Sequence, residues 1–338
     1  MKTSKLPYVH LLILVMVFGT LLTTSSSHWL IMWAGLELNL IGFLPLMLIR
    51  KLYSESEAGV KYFIVQSLGS IFFLFGRMFS YRLTNTWDCP TGVIGQIMIV
   101  GGLLIKLGRA PFHRWLPGVM ASLRWFSCFI ISTWQKLAPL FLLVCVGTEL
   151  SHRYCIIFSL ACVIVGGLGG INQTQVRALM AYSSISHLGW ILLGVALDWG
   201  IMAFYYIVYV LITGMVFAGL WSTGIVNRSR PQSAGIYLYN PWNIILLLSL
   251  AGLPPLLGFV PKLILIVAVV NLEIWLVLII IVLTRVISIF YYLKLFYLIL
   301  LSKPPAGPPV KLSFVRLCIL TLGVLVSVVG GIILILLL

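Results

Sequence analysis

The sequence predicts an all-α protein that crosses a membrane about eleven times, and three observations predict it. Hydrophobic residues make up 61% of the 338 and charged ones only 9%, a balance that no water-soluble domain sustains. The apolar residues are gathered into runs long enough to span a hydrocarbon core, and no polar segment between them could build a second, soluble domain. The cations are also placed unevenly, which bears on whether the net charge of +15 marks an anionic partner. The runs fall at about 6–23, 28–49, 58–76, 91–108, 121–147, 154–170, 174–196, 200–225, 241–269, 274–300 and 313–338. Fourteen of the 22 Lys and Arg residues lie on the N-terminal tail and the even-numbered loops, whereas the odd-numbered loops hold only Arg77, Arg82 and Arg153. By the positive-inside rule the N-terminus faces the cytoplasm or the mitochondrial matrix, and an odd number of spans puts the C-terminus on the opposite side. The basic excess is therefore a topology signal and not a nucleic-acid footprint. Residues 1–338 read as one transmembrane domain.

The first run follows Met-Lys-Thr-Ser-Lys and imitates a signal peptide. Its apolar part is long for one and no A-x-A site follows, so it reads as a span. Span 2 carries Glu37 well inside it, where a carboxylate without a partner costs several kcal/mol, about 3 on insertion scales. Gly35, Asn39 and Gly42 on the same span invite close approach of another backbone. Glu37 is either a path-forming acid or a structural one held by hydrogen bonds. Segment 50–61, with Arg50, Lys51, Glu55, Glu57 and Lys61, reads as a solvated turn, and segment 77–90 as interfacial.

Span 4 closes on Gly-Gly-Leu-Leu-Ile-Lys-Leu-Gly-Arg-Ala-Pro-Phe-His-Arg-Trp-Leu-Pro-Gly, residues 101–118. Pro111 and Pro117 deprive the carbonyls of Leu107 and His113 of their helical donors. Lys106 sits on the apolar side of that interruption, while Arg109, Arg114 and Trp115 suit an interface; His113 is a proton group or an interfacial hydrogen-bonding one. Span 5 holds Lys136 at mid-length, with Ser132 and Thr133 a turn before it and Pro139 after it.

Spans 6 and 7 meet at Gly-Gly-Leu-Gly-Gly-Ile-Asn-Gln-Thr-Gln. This is no phosphate loop, for it lacks G-x-G-x-x-G and a flanking strand, and Gly166 with Gly170 predicts tight helix packing. On span 7, Ser183, His187 and Trp190 share a helical face. His187 is a proton relay or a satisfied core histidine. Span 8 is apolar and aromatic and reads as packing.

Span 9 contains Leu-Ala-Gly-Leu-Pro-Pro-Leu-Leu-Gly-Phe-Val-Pro-Lys, residues 250–262. Three prolines strip the carbonyls of Leu250, Ala251 and Leu257 of helical partners, and lipid tolerates such groups only beside protein or a water-filled cavity. An interrupted apolar helix with an ionisable group points to an ion path, centred here on Lys262; the rival is a kinked helix whose lysine snorkels. Span 10 adds Arg285 near its middle and Lys294 near its basic-side end, both additional candidates. Span 11 reads as a structural wall. Three membrane-depth lysines on separate spans strain any explanation by snorkelling alone: each must be neutral, paired or hydrated.

Glu37 precedes Lys106 by about as far as His187 precedes Lys262, and each lysine lies at a break. The chain thus reads as two five-helix repeats, about 6–147 and 154–300, each with a broken helix, plus a C-terminal helix at about 313–338. Five is odd, so the second copy enters inverted. Six cysteines form no C-x-x-C pair and no tight Cys/His cluster, so neither a disulfide framework nor a metal or iron–sulfur site is indicated.

Several stretches stand in a familiar order: Gly-Leu-Glu-Leu-Asn, Lys-Leu-Gly-x-Ala-Pro-Phe-His-x-Trp-Leu-Pro, Thr-Trp-Gln-Lys-Leu-Ala-Pro, Ala-Tyr-Ser-Ser-Ile-Ser-His-Leu-Gly-Trp and Gly-Leu-Pro-Pro-Leu-Leu-Gly-Phe-Val-Pro-Lys. Over about residues 25–300 the chain resembles the NADH–ubiquinone oxidoreductase chain 2 family of animal mitochondria, antiporter-like membrane subunits of respiratory complex I. The resemblance implies proton translocation along Glu37, Lys106, Lys136, His187 and Lys262, driven by redox chemistry in other subunits. It implies the mitochondrial inner membrane, the matrix for the N-terminus and the intermembrane space for the C-terminus. Partners would be other membrane-arm subunits and phospholipid, with no nucleic acid. This chain would bind no cofactor, and NADH, FMN, iron–sulfur clusters and ubiquinone are expected in partner subunits. Two departures stand out: Gly118 replaces the family's usual acid after Trp-x-Pro, and Arg285 is a cation the pattern does not require. The alternative function is a free-standing cation/proton antiporter.

Overall fold

The computed structural model describes residues 7–49, 52–84, 93–146, 149–222, 241–301 and 314–337. Those residues are helical throughout apart from short turns, with no strand among them. Eight helices are long and apolar enough to cross a membrane, and four shorter apolar helices accompany them. The chain divides into two compact units, Met1–Phe158 and Ser159–Leu338.

The first unit opens with α1 (Pro7–Ser25) and α2 (Trp29–Met47). These pack backbone to backbone. A Cβ placed on Gly19 would meet the Asn39 amide nitrogen at 2.6 Å, and one on Gly35 the Gly19 carbonyl at 2.7 Å. Without a hydrophobic drive between helices in lipid, such small-residue contacts supply the association. Next come α3 (Tyr53–Thr84) and α4 (Val93–Leu107), joined in the same way through Gly69, Gly76, Gly95 and Gly102. α3 corrects two expectations. It begins at Tyr53, inside the segment read as a solvated turn, and it runs past Arg77 and Arg82, through the first part of the segment read as an interfacial loop. At 1.5 Å per residue a 32-residue helix reaches about 48 Å, longer than a hydrocarbon core of about 30 Å. Arg50, Lys51 and the rest of the 77–90 segment from residue 85 lie outside the described residues.

The first break follows α4. Gly108 takes φ +67°, a left-handed conformation that a side chain would strain, and the chain turns into α5 (Trp115–Ser122). Span 5 is not one regular helix but α6 (Trp125–Ser132) and α7 (Trp134–Cys145), parted at Thr133 (φ −120°, ψ −83°). Pro139 lies inside α7 and deprives the Gln135 carbonyl of its helical donor. α8 (Glu149–Ile171) contains the boundary between the units.

In the second unit α8 meets α9 (Val176–Leu197) at Gly166, where a Cβ would stand 2.6 Å from the Ser186 amide nitrogen. α10 (Trp199–Ser222) follows. Then come α11 (Pro241–Ala251), a 3₁₀ turn at Leu257–Phe259 and α12 (Val260–Asn271), which together form the second broken span. α13 (Trp275–Leu301) and α14 (Phe314–Leu337) complete the unit. α14 does more than wall the bundle: Gly331 comes so close to the break that a Cβ there would sit 2.2 Å from the Pro255 carbonyl oxygen.

Candidate proton-translocation site

In the first unit four helices converge on Lys106, whose side chain is 2% exposed. Its ammonium lies 3.7 Å from Oε1 of Glu37 on α2, whose side chain is a quarter exposed. Ser70 of α3 donates its hydroxyl to the same carboxylate oxygen. Gln66, one turn earlier on α3, donates to the Lys106 carbonyl oxygen at 3.0 Å and so satisfies an acceptor near the end of α4. A second strand of the network runs from Tyr62, whose hydroxyl donates to Gln135 at 3.2 Å, to Asn39, which accepts from the Gln135 amide at 2.9 Å. Gln135 is the neighbour of Lys136, which is 2% exposed at the first turn of α7. Glu37, Lys106 and Lys136 are thus all held in one unit, and the bonds among their neighbours come from α2, α3, α4 and α7.

The residues beyond the first break are placed differently from expectation. Arg109 is fully buried, not interfacial, and the positive φ of Gly108 is what turns it inward, its amide bonding the Leu104 carbonyl at 3.2 Å. Arg114 is exposed, and Trp115 sets its ring against Tyr62 with centroids 5.8 Å apart. The His113 carbonyl, stripped of its helical donor by Pro117, accepts instead from the Leu116 amide at 3.1 Å. Glu55, placed by sequence in a solvated turn, is 1% exposed and paired to Arg124 at 3.3 Å.

The second unit shows what a broken helix does with its orphaned carbonyls. Lys262, 3% exposed, bends its ammonium back onto the Leu250 carbonyl at 3.2 Å and the Ala251 carbonyl at 2.9 Å. These are two of the three groups that the prolines leave without helical donors; the third, on Leu257, accepts the Val260 amide. Gly252, at φ +79°, makes room: a Cβ there would stand 2.9 Å from the ammonium nitrogen. Arg285 of α13 donates to the Gly252 carbonyl at 2.8 Å and lies over the Phe259 ring, 5.0 Å from its centroid. Two cations therefore share three successive carbonyls at the negative end of α11. The guanidinium is permanently charged and the ammonium can give up its proton, so Lys262 is the exchangeable member.

His187, 6% exposed on α9, meets the Tyr205 hydroxyl at 3.0 Å through Nδ1, and its ring lies 5.1 Å from that of Tyr209. Span 8, read as packing, thus supplies polar groups. Tyr291 and Tyr292 of α13 are also buried, with ring centroids 4.6 Å apart, and they lie beside Ser186 and Ser183 of α9. The tyrosines were hidden because an aromatic-rich apolar helix reads as filling, yet a phenol buried there still needs a partner. Tyr205→Phe is expected to leave the fold intact, because only one oxygen is lost, and, by taking away the His187 Nδ1 partner, to lower coupled proton uptake relative to electron flow. Lys294 takes a different position. It is exposed and reaches the Ile171 carbonyl at 3.5 Å, at the end of α8.

An all-helical membrane bundle with buried lysines at two broken helices defines the antiporter-like class of membrane subunits. The family described as NADH:quinone oxidoreductase/Mrp antiporter, TM, matches residues 26–288, and the chain belongs to it. It is 34% identical over 340 residues to NADH-ubiquinone oxidoreductase chain 2 of Lumbricus terrestris, covering 96% of this chain and 98% of that one. It is 36% identical over 307 residues to the protein of the same name from Myxine glutinosa, covering 89% and 88%. Among solved structures, a chain of respiratory complex I from Thermus thermophilus superposes with a TM-score of 0.80 at 29% identity, over 96% of this chain and 78% of that one. A chain of the Mrp complex from Dietzia gives 0.81 at 18% identity, over 96% and 75%, which shows the shared fold.

Proposed function

We propose that the chain is a proton-translocating membrane subunit of a respiratory NADH:ubiquinone oxidoreductase, moving protons through Glu37, Lys106, Lys136, His187 and Lys262. The observation that carries this reading is Lys262, a buried ammonium resting on two proline-freed carbonyls at a break inside an apolar span. Glu37 supports the reading in the first unit, since a carboxylate 3.7 Å from the Lys106 ammonium stabilises its charged form and loosening the pair frees the proton. Arg285 joins the set as the fixed cation that stays on the helix end when Lys262 moves. Lys294, on the Ile171 carbonyl, acts as a helix-end cap.

Moving one charge against a membrane potential costs about 2.3 kcal/mol per 100 mV, so an external drive is required. The chain carries no nucleotide, flavin or iron–sulfur motif, and the drive comes from partner subunits that hold NADH, FMN, iron–sulfur clusters and ubiquinone. The neighbouring membrane-arm subunits and phospholipid are its partners. The names of its animal relatives support the mitochondrial inner membrane, and the cation distribution supports a matrix N-terminus. A free-standing antiporter is the less favoured reading, because solved chains of this fold come from multi-subunit complexes.

The test is Lys106→Ala in native membranes, with proton translocation and NADH oxidation followed together and native electrophoresis run alongside. Loss of coupled pumping in a particle that still assembles is the expected result. Unchanged pumping, or a polypeptide that runs free of any NADH-oxidising particle, removes the reading.

A further inference from the structure

α3 carries a stripe of polar side chains that runs from the Lys106 surroundings to the first turn of the helix. Glu55, Tyr62, Gln66 and Ser70 follow at steps of seven, four and four, which sets them on one helical face. All four are buried, while Val60, Phe63, Ile64, Leu68 and Ile71 around them are exposed. The inner three are tied to the Glu37–Lys106 surroundings: Ser70 to Glu37 itself, Gln66 to the Lys106 carbonyl, Tyr62 through Gln135 to Asn39. The outer one is an acid in the first turn of the helix, 1% exposed, with Oε1 held by Arg124 and Oε2 buried without a hydrogen-bond partner among the described residues. A buried polar atom left so is costly and calls for an explanation. Between Glu55 and Tyr62 the same face carries Ala58, which is 2% exposed.

We propose that this stripe is the proton-uptake route of the first unit, with Glu55 as its outermost carrier and Arg124 as the group that orients it. A proton from water at the end of the membrane where α3 begins binds Oε2 of Glu55 and passes through water to the Tyr62 hydroxyl, which gives its own proton to a further water; that water protonates the Ser70 hydroxyl as Ser70 hands its proton to the Glu37 carboxylate to which it already donates. The proton count is conserved at every handover. Arg124 is a positioning residue, since its Nε fixes one carboxylate oxygen and leaves the other to exchange. The route rests on the proton-translocating reading above.

The experiment uses membranes carrying the whole respiratory assembly and reads protons moved per NADH oxidised. Glu55→Gln, the double variant Glu55→Gln with Arg124→Gln, and Tyr62→Phe are each expected to lower that ratio. If Glu55 serves only to neutralise Arg124, removing both charges relieves the defect and the double variant recovers the parental ratio, which overturns the route. An unchanged ratio in Tyr62→Phe, which removes one oxygen atom, overturns it too and decides the matter should the Glu55 variants fail to assemble. Lys106→Ala in parallel separates the two readings: if it abolishes pumping while the stripe variants do not, only the route falls.

Discussion

Lys262→Arg is expected to leave the subunit assembled and to stop its contribution to pumping. The guanidinium can still donate to the carbonyls of Leu250 and Ala251, so the break keeps its internal hydrogen bonds. It cannot release a proton, because arginine stays charged in proteins. Lys262→Met differs in kind. It removes the donor and leaves two buried carbonyls without it, each costing about 1–3 kcal/mol, so less of the subunit should reach the assembly. The pair separates holding the helix together from carrying the proton. Native electrophoresis measures the first and proton ejection from energised vesicles the second. Normal pumping in Lys262→Arg would show that no proton passes through this side chain.

The reason Lys262 could be singled out from sequence is that proline chemistry is local. Pro254, Pro255 and Pro261 identify by arithmetic which carbonyls lose their donors, and Lys262, directly after Pro261, is the ionisable side chain of the same span able to reply. Hydropathy located the spans for a similarly local reason, since twenty apolar residues need no tertiary context to be recognised. Glu55 offers no such local handle. A Ser-Glu-Ser-Glu segment beside Lys and Arg looks solvated in any sequence, and only the approach of Arg124 from 69 positions away buries it. Arg109 was misplaced for a related reason: the direction of its side chain is set by the left-handed turn at Gly108, which sequence flags as a break without saying which way the chain leaves it. The buried tyrosines around His187 show the opposite limit. Their composition was visible, but whether a phenol packs or bonds depends on the facing helix.

The glycines of α3 and α4 give the last and most discriminating test, because neighbouring positions predict different outcomes. A Cβ at Gly102 would stand 2.7 Å from the Gly69 carbonyl and 2.8 Å from the Phe73 amide nitrogen, both backbone atoms that cannot step aside. Gly102→Ala must therefore push the helices apart at an overpacking cost of about 1–3 kcal/mol, and the amount of assembled particle should fall. A Cβ at Gly69 meets first the Cγ of Lys106, at 2.7 Å. Displacing that carbon draws the ammonium away from the Glu37 carboxylate, while the nearest backbone atom, the Gly102 carbonyl oxygen, stands farther off at 3.0 Å. Gly69→Ala is accordingly expected to assemble better than Gly102→Ala and to pump worse than its assembly predicts. Gly101→Ala is the control: nothing lies within 4 Å of its Cβ, so neither quantity should change. Equal losses of assembly and pumping in Gly69→Ala and Gly102→Ala would mean that the position of Lys106 matters no more than the spacing of the two helices.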